Sequence, residues 1–98
     1  MATTTKYYAL TSLSGDWEIV GIGSHPNEVE AEAERMIVER YGPLETARGI
    51  NTNTDTALKN LRVVPADEAR ERYQLVPEAE QRFYEERAKY GGRTSRLY

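Results

Sequence analysis

Residues 7–26 read YYALTSLSGDWEIVGIGSHP, and the division of this stretch decides the fold. Tyr7 to Leu13 alternates loosely, Tyr8, Leu10 and Ser12 against Tyr7, Ala9, Thr11 and Leu13, as a strand does. Ser14-Gly15-Asp16 supplies turn chemistry, with a glycine free to take positive φ. Trp17 to Gly23 reads as a second strand, so the pair forms a hairpin. Its apolar side chains fall on both faces, Trp17 and Ile19 on one, Val20 and Ile22 on the other, which predicts an inner strand. Gly21 and Gly23 point to a bulge or a close backbone approach.

Working outward, Ser24 is placed to cap a helix whose first turn takes Pro26. Val29, Ala33, Met36, Ile37 and Tyr41 follow at helical spacing and form one apolar stripe. Gly42-Pro43 stops the helix, which packs across one face of the hairpin. Residues 43–60 hold few large apolar side chains. There the sequence allows a short edge strand at Arg48-Gly49-Ile50, or a single turn capped by Thr54 or Asp55 and running to Asn60. Leu61 to Val64 reads as a third strand, closed by Pro65. Asp67 caps or nearly caps a helix through Leu75, and Pro77 begins a last helix that Gly91-Gly92 ends near Tyr90.

The order predicts an α+β fold: a small antiparallel sheet, the hairpin plus a third strand, with a long helix across one face and two C-terminal helices. Residues 1–92 form a single domain and residues 93–98 a basic tail. The chain of 98 residues suits one domain. Leu, Ile, Val and Phe contribute only 18 of them, so the core is thin and tyrosine, present seven times, must fill part of it.

Charge is unevenly placed. Residues 1–46 carry three basic and eight acidic groups, net −5, and residues 47–98 carry net +2. Residues 87–98 hold Arg87, Lys89, Arg93 and Arg96 and no acid. Such a dipolar surface favours ordered association with a partner or a second copy.

Several chemistries are excluded or disfavoured. There is no cysteine, so disulfides and thiolate metal sites are absent, and a single histidine, His25, cannot build a His-rich site. The run Gly21-Ile22-Gly23-Ser24-His25-Pro26 sits where a phosphate-binding turn would, but Pro26 holds the place of the third glycine and no Walker lysine follows. Glu28, Glu30, Glu32 and Glu34 would repel phosphate; stepping by two along a helix, they do not converge on a metal. They read as a solvated face whose mutual repulsion a basic partner would relieve. Asn51-Thr52-Asn53-Thr54-Asp55 echoes a calcium loop, yet Thr56 and Arg62 stand where glycine and glutamate are needed. No cofactor, no metal and no catalytic set is expected. Nothing approaches the ~20 apolar residues of a membrane span, and Met1 to Lys6 has no apolar signal region, so a cytoplasmic address is expected.

Aromatic side chains with arginine remain. Trp17 and Phe83 read as core. In the adjacent pairs Tyr7-Tyr8 and Phe83-Tyr84 one member can leave the core. The partner-binding candidates are therefore Tyr7, Tyr8, Tyr84, Arg87, Arg93, Arg96 and Tyr98. The reading is a non-catalytic protein-interaction module, a small inhibitor or regulatory accessory protein whose partner is another protein or a second copy. The alternative is nucleic-acid association through Arg48, Arg62, Arg87, Arg93 and Arg96, against which the acidic pI of 5.2 argues.

Overall fold

The computed structural model describes residues 5–73, 75 and 77–95, with side chains as far as residue 89. Its hairpin is β1 (Tyr7–Thr11) and β2 (Glu18–Gly23), followed by α1 (Pro26–Tyr41). A small ribbon, β3 (Glu45–Thr46) and β4 (Gly49–Ile50), leads to α2 (Thr52–Lys59) and β5 (Arg62–Pro65). The chain then forms α3 (Ala66–Arg72) and α4 (Pro77–Ser95). The architecture is α+β: a three-stranded antiparallel sheet in the order β2-β1-β5, helices on both faces and a separate two-stranded ribbon.

β1 is the central strand and β2 lies at the edge, which corrects the expectation of an inner β2. The burial of both its faces comes from helices above and below the sheet, not from strands on both sides. The expected irregularity at the glycines is present. Tyr8 pairs with Ile22 and Ala9 with Gly21, but Leu10 pairs with Ile19, leaving Val20 as an extra residue. That bulge resets the alternation. Ile19 and Ile22 therefore share the Tyr8 and Leu10 face, whereas simple alternation had set them apart.

The opposite face meets α1. A Cβ at Gly21 would lie 2.9 Å from the Val29 carbonyl oxygen, and one at Gly23 would lie 2.9 Å from a Val29 methyl. Glycine is thus required here for helix and strand to approach. Val29, Ala33, Met36 and Ile37 are buried along α1 as the stripe predicts. The cap differs: His25 takes the N-cap position without a side-chain bond, and Pro26 occupies the first turn. Ser24 is therefore not the cap.

The polar segment after α1 folds as both a ribbon and a helix. Asn51 caps α2, accepting from the Thr54 N–H, and its amide donates to the Tyr41 carbonyl at 2.8 Å. Thr54 Oγ1 donates to the Gly42 carbonyl at 2.7 Å. Thr11 Oγ1 donates to the Ala57 carbonyl, and Asn60 donates to that of Ser12 at 2.8 Å. These short polar side chains hold the end of α1 and the hairpin to α2, substituting for the apolar residues this segment lacks.

On the second face α3 and α4 cover Tyr8, Leu10, Ile19 and Ile22, with Ala69, Ala79 and Phe83 buried against them. α3 stops at Arg72, short of the expected Leu75. α4 continues through Gly91-Gly92 to Ser95, so the helix does not end near Tyr90 and residues 93–95 are helical. A glycine in a helix costs only about 1 kcal/mol and does not by itself end one. Among the described residues no helix is long and apolar enough to cross a membrane.

Candidate functional site

The sequence-derived candidates are dispersed. Tyr8 is fully buried in the sheet face beneath α4. Its hydroxyl donates to Glu80 Oε1 at 2.7 Å and accepts from Arg70 at 3.2 Å, while the Arg70 guanidinium stands 5.7 Å from its ring. Burial, then the bond to Glu80, pushes its phenol up to about 12. Tyr8 is therefore a structural link between β1, α3 and α4; its assignment to a partner surface is corrected. Strand alternation turned it, and not Tyr7, toward the α4 face. Tyr7 is half-buried against the core.

Tyr84 is on the surface, 46% exposed, with its ring edge-on to Phe83 at 5.6 Å. Arg87, one turn on, is tied within the fold: its Nε lies 3.2 Å from Glu32 Oε2 and its guanidinium 5.8 Å from the Phe83 ring. Arg93 lies in the last turns of α4. Arg96 and Tyr98 lie outside the described residues. Of the other arginines, Arg48 is exposed beside the β3–β4 ribbon, and Arg62 donates to the carbonyls of Lys59 and Leu61.

The structure assembles a different group of residues. Trp17 follows the hairpin turn and Tyr73 follows α3; their rings meet edge to face, 4.8 Å between centroids and 74° between planes. Both are only half-buried. They line a cleft of about 440 Å³ with Asp16, Glu18, Ala79 and Arg82. Three elements build it. The Ser12 hydroxyl accepts from the Gly15 N–H at 2.7 Å and fixes the turn. The end of α3 presents Tyr73. The first turns of α4 supply Ala79 and Arg82 as a wall. The sequence held a signal for Trp17, a large aromatic between two acids directly after a turn; that for Tyr73 was weaker, an aromatic at a helix end.

Behind the cleft lies an ion cluster. Arg40, only 15% exposed at its side chain, bonds Glu18 at 3.1 Å and Glu86 through two nitrogens. The Tyr41 hydroxyl lies 3.3 Å from the same Glu18 oxygen. Burial acts to lower the Arg40 pKa, but the bonds to Glu86 and Tyr41 and the neighbouring charges of Glu86 and Glu18 raise it, so this arginine stays charged.

A second groove, about 500 Å³, lies at the start of α1 and includes Ser24, His25, Glu28, Arg35 and Arg87. The glycines preceding it serve packing on Val29, and Glu28 lines it while Glu32 occupies Arg87. Among the described residues no three metal-ligating side chains converge. Comparison with known protein families, with curated proteins and with solved structures finds no match for this chain.

Proposed function

We propose that the chain is a non-catalytic protein-interaction module, a small inhibitor or regulatory accessory protein, that engages its partner through the cleft between the hairpin turn and α4. One observation carries the reading: Trp17 and Tyr73, edge to face and packed against the core, are only half-buried and line an open cleft. Tryptophan, tyrosine and arginine dominate the energy of protein interfaces when a partner seals them from water. Arg82 on the wall completes that set. Glu18, Ala79 and Arg82 are held on β2 and α4, which reduces the entropic cost of ordering that part of the wall on binding. The partner is another protein, a second copy of the chain included, and the expected cytoplasmic setting goes with this reading.

Immobilised wild-type chain should retain a defined protein from an extract of its source cells in near-stoichiometric amount. Asp16→Lys, an exposed turn substitution, should release that protein without altering the circular dichroism spectrum. Equal retention by both would remove the cleft from the interaction.

A further inference from the structure

Resting on the interaction reading above, we propose that the Trp17–Tyr73 cleft receives an arginine or lysine side chain of the partner protein.

The rings come first. The face of an indole or phenol ring carries partial negative charge and attracts cations, tryptophan most strongly. Trp17 is followed by Glu18 and preceded by Asp16, so carboxylates flank the indole on the same stretch of chain. Glu18 is shared with Arg40. Asp16 has no ion-pair or hydrogen-bond partner among the described residues and stands exposed at the rim. An aromatic floor beside a free carboxylate is the chemistry that holds a guanidinium or ammonium group, ring below and charged hydrogen bond at the side.

The balance of charge agrees. Glu18 and Arg82 line both the cleft and a small cavity behind it, where Arg40 and Glu86 meet. Around this region three carboxylates, Asp16, Glu18 and Glu86, face two guanidinium groups, Arg40 and Arg82, and Arg40 is already held between Glu18 and Glu86. Arg82 is the opposing feature. It too has no partner among the described residues, so an acidic side chain is the rival occupant.

Trp17 is the only tryptophan in the chain, and its fluorescence therefore reports on this cleft alone. The probes are N-acetyl-Gly-Arg-Gly-amide and its glutamate and leucine counterparts, titrated into the intact chain. The arginine peptide should give a saturable change in Trp17 emission with a midpoint in the millimolar range. Asp16→Asn should raise that midpoint at least threefold, and Arg82→Gln should lower it, both with an unchanged circular dichroism spectrum. A flat titration, an equal response to the leucine peptide, a larger response to the glutamate peptide, or a midpoint indifferent to Asp16→Asn overturns the proposal. If the arginine peptide fails while partner retention still depends on Asp16, the assigned chemistry falls and the interaction reading stands.

Discussion

Glu32 on α1 and Arg87 on α4 meet at 3.2 Å, although their helices lie on opposite faces of the sheet. The reach is possible because β2 is an edge strand, and the two side chains close around that edge. Glu32 also accepts from the outward Ile22 N–H at 3.4 Å, a group that would otherwise invite a foreign strand. A second tie, Arg40 to Glu86, links the same two helices. Charged cover of this kind is a common protection for an exposed edge.

Arg87→Glu should therefore cost under ~1 kcal/mol in stability, the scale of an exposed ion pair, yet should promote concentration-dependent self-association. The double variant Glu32→Lys with Arg87→Glu should reverse this. Sedimentation velocity at several concentrations reads both outcomes, and identical profiles for all three proteins would show that the tie does not guard the edge.

Arg40 is a different case, because it is mostly buried and serves two carboxylates. Arg40→Ala leaves Glu18 and Glu86 facing each other without a cation and should cost about 2–4 kcal/mol, judged from broken buried pairs. Urea unfolding measures it. A loss under ~1 kcal/mol would mean that water replaces the guanidinium freely.

Tyr8 makes stability depend on alkaline pH. Its folded phenol stands at about 12 against an ordinary 10.0, with burial the first cause and Glu80 the second. The neutral form is the native one. Its contribution is complete below pH 10 and disappears as pH rises from there through about 12. Denaturant midpoints measured across that range should fall. Tyr8→Phe should flatten the fall and cost about 1.5–3 kcal/mol near neutrality, the worth of a hydrogen bond to a charged group.

The α1 face should be intolerant in both directions. Ile37→Ala should cost about 2–5 kcal/mol by opening a cavity. Gly21→Ala should cost about 1–3 kcal/mol because its methyl would press on the Val29 carbonyl. Glu30→Ala, on the exposed side of α1, should change stability by no more than ~0.5 kcal/mol. Thermal melts of the three would rank them in that order, and an Ile37→Ala melt equal to wild type would misplace the helix face.

The hairpin, α1 and the third strand were legible because local signals agreed: a glycine turn, a helical stripe, Pro26 and Pro43 at the two ends of α1 and Pro65 at the end of β5. The place of β2 in the sheet was not, since double-sided burial does not distinguish flanking strands from covering helices. The Val20 bulge was signalled by its glycine neighbours, but its effect on Ile19 and Ile22 depends on register, which only pairing with β1 sets. α2, with its caps Asn51 and Asn60, is held by side-chain bonds to distant carbonyls at Gly42 and Ser12, a long-range property that composition does not carry. The cleft escaped for the same reason. Trp17 and Tyr73 are 56 positions apart in the numbering, and each alone resembles an ordinary core aromatic.

Photo-crosslinking shows whether a partner sits on Trp17 and Tyr73. A benzophenone amino acid replaces Arg82 on the cleft wall in one protein and Glu30 on the outer side of α1 in another. Both are expressed in the source cells and irradiated. One adduct of defined mass is expected from position 82 and none from position 30. Adducts from both positions alike, or from neither, would contradict a partner seated on Trp17 and Tyr73.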